Sequence, residues 1–126
     1  MEFLETLPPQ CPPVSAVEQN IETAYRVVFA NPPTLSCFAS QASRSRPLME
    51  GGDVCKHASC SLFSSYDKAK NIASRLPKPK DSGPLLATMS IPAGAGLWVS
   101  ANKHIDYWFY KHFNPVSAVV GLEELS

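Results

Sequence analysis

Twelve prolines in 126 residues divide this chain into short pieces. They gather at Pro8, Pro9, Pro12 and Pro13, at Pro32 and Pro33, and at Pro77, Pro79 and Pro84, punctuating the chain without forming one low-complexity tract. Proline fixes φ and lacks an amide hydrogen, so helices and strands are expected in the intervals between the clusters. The first cluster reads as an extended Pro-rich arm over residues 1–16, followed by a single domain over 17–126. A chain of this length is one ordinary domain, and its 44% hydrophobic content permits a self-sufficient core.

Short runs between these breaks carry recognisable periods. Ser15 and Glu18 have the form of a capping box, which predicts a short helix to about Thr23. Ala24–Ala30 alternates as a strand with Tyr25, Val27 and Phe29 on one face and Arg26 and Val28 on the other. Thr34 would cap a helix carrying Leu35, Phe38, Ala39 and Ala42 at i, i+3, i+4 and i+7. No period survives from Ser43 to Cys60, a length that suits a functional loop. Ser61–Tyr66 alternates as a strand, and Asp67–Leu76 is the clearest helix, with Ala69, Ile72, Ala73 and Leu76 as its stripe. Leu85–Ile91, Gly96–Ser100 and His104–Tyr110 read as further strands, while Val116–Leu122 is an apolar run of either type. Consecutive strands joined by short connections predict an α+β fold with antiparallel pairing.

Charge and cysteine content narrow the function classes. Eleven Lys and Arg balance eleven Asp and Glu, which argues against general nucleic-acid binding and polybasic membrane attachment. The balance is uneven, however. Residues 1–25 contain four glutamates and no base, whereas residues 26–111 carry a net charge of +6, which hints at anionic ligands. No long apolar run suggests a membrane span, and the acidic amino terminus lacks the features of a signal or transit peptide, so a cytoplasmic protein with reduced thiols is expected. Cys55, His57 and Cys60, with His104 or His112, could in principle hold zinc, but their spacing matches no finger or ribbon, and no metal is expected. No local signature selects a catalytic Cys–His pair. The Gly94-Ala-Gly96 turn lacks the third glycine of a dinucleotide fingerprint, and no P-loop lysine occurs.

Three features bear on a site. Arg26, alone on an apolar strand, needs either a structural carboxylate or a bound anion. Ser64 to Asp67 forms a second capping box, so the Ser64 hydroxyl is either a helix cap or a ligand contact. Tyr107 to Tyr110, with Phe113, concentrate five of the twelve aromatics; core packing is the favoured role, with His104 and His112 flanking it as structural histidines unless a cleft gives them polar neighbours.

Taken in order, Tyr25-Arg-Val-Val, Asn31-Pro-Pro-Thr-Leu with Phe38 and Ser40, Arg46-Pro-Leu, Leu62-Phe-Ser-Ser-Tyr-Asp67 with Ala69 and Ala73, and Ile91-Pro-Ala-Gly resemble a family of small bacterial proteins with an ADP-ribosyltransferase-like fold. The resemblance runs from about Tyr25 to Leu122 and implies a compact, split antiparallel sheet with a few short helices and a cleft that takes NAD as substrate or ligand. It implies that Arg26 faces the NAD phosphates or ribose, that Ser64, Ser65 and Tyr66 line the nicotinamide-ribose pocket, and that His104 with Trp108 belongs to a characteristic strand. The glutamate that the family often carries near Ser100 is absent, which leaves Glu123 or Glu124 as the replacement acid and His104 as a second catalytic candidate. The implied activity is ADP-ribosyl transfer or NAD cleavage, and the alternative is a non-catalytic protein-interaction module of the same fold. The implied partners are a nucleotide and a protein partner or acceptor.

Overall fold

In the computed structural model, which describes residues 2–76 and 83–125, the chain forms six strands and two helices in the order β1 (Ile21–Val28), α1 (Val54–His57), β2 (Cys60–Phe63), α2 (Tyr66–Arg75), β3 (Leu85–Ile91), β4 (Gly96–Ala101), β5 (His104–Phe109) and β6 (Val119–Glu124). Single 3-10 turns lie at Leu35–Phe38 and Pro115–Ala118. The strands form one α+β sheet in the order β4-β5-β2-β1-β3-β6, antiparallel at every pairing. Among the described residues no helix is long and apolar enough to cross a membrane.

Alternation determines which face each strand buries. On β5, Ile105, Tyr107 and Phe109 enter the main core together with Leu62 of β2, Ala24 and Val28 of β1, and Met89 and Ile91 of β3. The other face of β5 presents His104, Asp106 and Trp108, and Phe63 and Ser61 stand opposite His104 and Asp106 in register. All four residues Tyr107–Tyr110 are buried, because both faces of the strand are covered. Ala69 and Ala73 are the buried positions of α2, which packs on β1 and β2. Their small side chains let the helix approach the sheet closely.

The sheet is weakest at its centre. β1 pairs with β3 over most of its length, but it meets β2 at the single pair Tyr25–Phe63. Where that ladder ends, the Arg26 side chain takes over, and its Nη1 donates to the Ser61 carbonyl at 2.7 Å.

Several local expectations are corrected. The Ser15–Thr23 segment is not helical: Val17 bridges Trp98, the Tyr110 hydroxyl bonds the Glu18 carboxylate, and β1 already begins at Ile21. The helix expected after Thr34 stops after one 3-10 turn, because the Ser40 amide and hydroxyl both donate to Glu5, at 2.9 and 2.5 Å, and do not continue the helix. The aperiodic 43–60 segment holds the single turn α1, capped by Asp53. The Pro-rich segment is not an extended arm: it bends and turns, at residues 9–10 and 14–15, and the residues before it are fastened to the sheet, with Leu4 N donating to the Phe109 carbonyl and Lys111 N to that of Glu2. Cys11 and Cys55 form a disulfide, contrary to the expectation of reduced thiols; Cys37 and Cys60 are free and buried.

Candidate functional site

Where β1 and β2 part, a two-lobed cleft opens beside α2. The first lobe, about 720 Å³, is lined by Arg26, Arg44, Arg46 and Lys68, with Phe63 and Ile72 among its apolar wall. The second, about 810 Å³, lies between the 47–57 segment and the end of β4. Gln41, Ser59, Ser61, Lys68 and His104 line both and form the waist between them.

Arg26 is half-buried and, among the described residues, pairs with no carboxylate. Its three donors go to main-chain carbonyls: Nε to Cys37 at 3.0 Å, Nη1 to Ser61 at 2.7 Å and Nη2 to Ala39 at 3.2 Å. Carbonyl dipoles hold the guanidinium without neutralising it, so its full charge remains at the cleft. Arg44 donates to the Ser36 and Cys37 carbonyls at 3.1 and 3.4 Å, close to the same spot. Arg44 is exposed on the cleft wall, yet partial desolvation there, and then repulsion from Arg26, lowers its pKa from the ordinary value. No carboxylate of the described residues lines this lobe, and none pairs with these arginines.

At the waist His104 Nδ1 stands 3.5 Å from Asp106 Oδ1, and its ring meets the Phe63 ring edge-on at 5.5 Å between centroids. Asp106 is 7% exposed and accepts from Ser59 Oγ at 3.1 Å; the same hydroxyl lies 2.7 Å from the Lys56 carbonyl. Burial lowers the His104 pKa, the facing Asp106 raises it, and Lys68 and Lys56 lower it further, leaving it below 6.5.

The sequence-predicted residues thus separate into two groups. Arg26 and His104 converge on the cleft. Ser64, Ser65, Tyr66 and Glu123 do not line either lobe. Ser64 is exposed, with its amide bonded to the Lys103 carbonyl, and the cap of α2 is Ser65, whose hydroxyl accepts from Lys68 N at 3.2 Å. The Tyr66 hydroxyl donates to Glu123 on β6 at 2.5 Å, a bond that pushes the phenol pKa upward. Residues Cys55, His57 and Cys60 do not converge either: Cys55 is in the disulfide, His57 Nε2 meets the Arg46 carbonyl at 2.9 Å, and no group of three His, Cys, Asp or Glu side chains suited to a metal ion occurs among the described residues. Asp106 and Ser59 were missed. The available signal was alternation, which puts Asp106 on the same face of β5 as His104 and leaves an acid among buried aromatics in need of partners.

No family model, curated protein or solved structure matches the chain.

Proposed function

We propose that the cleft binds NAD or a related nucleotide and that the protein is ADP-ribosyltransferase-like, acting in ADP-ribosyl transfer or NAD cleavage. The observation that carries this reading is the first lobe: Arg26, Arg44, Arg46 and Lys68 face a space of about 720 Å³ that no described carboxylate neutralises. A diphosphate would relieve the repulsion between Arg26 and Arg44, and Arg44 is suited to bidentate contact. The volume lies within the ordinary range of small-molecule sites. The parting of β1 and β2 beside Tyr25–Phe63 supports the split-sheet part of the reading. Breaking the nicotinamide–ribose bond develops positive charge on the ribose, and the Asp106 carboxylate adds negative charge behind His104 at the waist, whereas Glu123 lines neither lobe.

The disulfide favours an oxidising setting over the cytoplasmic one, since such bonds persist mainly where thiols are not kept reduced. The reading as a non-catalytic interaction module has one observation in its favour, the exposed Leu48 and Met49 on the rim of the second lobe.

Thermal unfolding of the purified protein with millimolar NAD tests the proposal. Binding at about 100 times the Kd adds about 2.7 kcal/mol to stability and raises Tm. An unchanged Tm retires nucleotide binding, and a raised Tm with no release of nicotinamide leaves binding without turnover.

A further inference from the structure

We infer that Asp106, held by Ser59, is a positioning residue that fixes His104 as the proton acceptor at the waist of the cleft. The inference rests on the NAD reading for the substrate but on geometry for the device. Gln41, Ser59, Ser61, Lys68 and His104 are common to both lobes, so any ligand that spans the cleft passes these side chains. Of the five, His104 is the group able to take up a proton near neutral pH.

A carboxylate as buried as Asp106 requires partners that offer hydrogens. Ser59 Oγ lies 3.1 Å away and shares its one proton between Asp106 and the Lys56 carbonyl, while the Nδ1 edge of His104, at 3.5 Å, is too long for a hydrogen bond but stands closest to the carboxylate charge, which favours a proton on that nitrogen. With its proton on Nδ1, the neutral ring keeps its lone pair on Nε2, on the opposite edge from Asp106. The edge-on Phe63 ring limits rotation of the imidazole. The charged groups facing His104 are Asp106 on β5, Lys68 on α2 and Lys56 on α1. Burial and the two ammonium groups keep the ring neutral at pH 7, the form a base requires. Ser59 also joins this device to the wall of the second lobe, because its hydroxyl lies against the Lys56 carbonyl at the end of α1.

In NAD cleavage the step balances without any further reactant. The bond between ribose C1′ and the nicotinamide nitrogen breaks, and its electron pair leaves with nicotinamide. A water oxygen bonds C1′, and the proton that water loses passes to His104 Nε2.

Imidazole NMR of the full chain, titrated with pH and assigned with His57→Gln and His104→Gln, tests the device without turnover. The expected result is an Nδ1–H tautomer for His104, titrating below 6.5. Asp106→Asn should lower that titration further and mix the tautomers, because it removes the negative charge that favours the proton. Ser59→Ala, which keeps the carboxylate, should produce a smaller change and serves if Asp106→Asn does not fold. Nicotinamide release should fall about 100-fold in kcat for Asp106→Asn, with KM within about twofold and a displaced pH profile. An Nε2–H tautomer overturns the inference, as does a titration unmoved in both variants. An active protein whose pH profile is the same in wild type and the variants also overturns it and leaves the NAD reading intact. Wild type that releases no nicotinamide defeats the cleavage reading, and the tautomer and titration then decide the device alone.

Discussion

Strands β2 and β5, which carry Ser61, His104 and Asp106, are joined by four register pairs and are buried or half-buried at every position, whereas residues 41–50 across the cleft are exposed throughout. The first region is a floor locked by main-chain bonds. The second is a rim held at a few points: Ala42 N on the His57 carbonyl, His57 on the Arg46 carbonyl, and Arg44 on the turn at Ser36 and Cys37. The proton-handling groups therefore sit on the rigid wall, and two of the three arginines sit on the loose one. A rigid wall can hold a hydrogen-bonded pair in register, while a long-range charge tolerates displacement, since Coulomb attraction falls slowly with distance.

The largest expected effect is in the floor. A Cβ on Gly96 would lie 2.2 Å from the Trp108 carbonyl oxygen and 2.9 Å from the Phe109 Cα, both main-chain atoms of β5 that cannot yield. Gly96→Ala should cost more than about 3 kcal/mol in urea unfolding. At Gly51 on the rim nothing lies within reach, and only its positive φ of 76° resists a side chain, so Gly51→Ala should cost about 1 kcal/mol. Equal losses at the two glycines would erase the distinction between floor and rim.

Next comes the link between the Pro-rich segment and the rim. Replacing Cys11 and Cys55 together by serine opens a loop of 44 residues and should cost about 2–4 kcal/mol, readable as a lower urea midpoint. The His104 titration should move little, because the four β2–β5 register pairs hold His104 and Asp106 without this bond and only the Lys56 charge next to Cys55 links it to the histidine.

Arg26 and Arg44 sharpen the contrast further. Arg26→Ala leaves the carbonyls of Cys37, Ser61 and Ala39 without their shared donor and should cost about 1–3 kcal/mol. Arg44→Ala, exposed on the rim, should stay within about 0.5 kcal/mol. Its effect should appear in NAD affinity, as a loss of about tenfold that shrinks with added salt. The comparison breaks if Arg44 proves the more important for stability.

The smallest difference lies where β2 passes into α2. Ser65→Ala removes the cap on Lys68 N and should cost about 1 kcal/mol, whereas Ser64→Ala should be within about 0.5 kcal/mol. Reversal of that order in thermal unfolding would restore the cap to Ser64.

What could be read from the sequence follows from where each interaction partner lies along the chain. β3, β4, β5 and α2 were legible because their signals, alternation and an alanine stripe, are local. The helix after Thr34 was misread because the partner that ends it, Glu5, lies 35 residues from Ser40. The need of Arg26 for partners is legible, but the carbonyls of Cys37, Ser61 and Ala39 that hold it are not, because main-chain carbonyls have no sequence signature. In the same way Tyr66 and Glu123 were each given a ligand, although 57 residues of chain bring them to one another. The cleft itself depends on which strands are neighbours, and no period in the sequence encodes strand order.

That order has a kinetic consequence. Among the described strands only β4 and β5 are paired neighbours joined by a tight turn, at Asn102 and Lys103; β2 must find β5, β1 must find β3, and β3 must find β6 across intervening elements. Distant pairings require loop closure before any contact offsets its entropy, so the chain should refold in milliseconds to seconds, as sheets rich in distant pairings do. The β4–β5 hairpin is the natural nucleus, and it already carries His104 and Asp106. Arg26 can reach the Ser61 carbonyl only once β1 and β2 lie side by side, which makes formation of the basic lobe a late event.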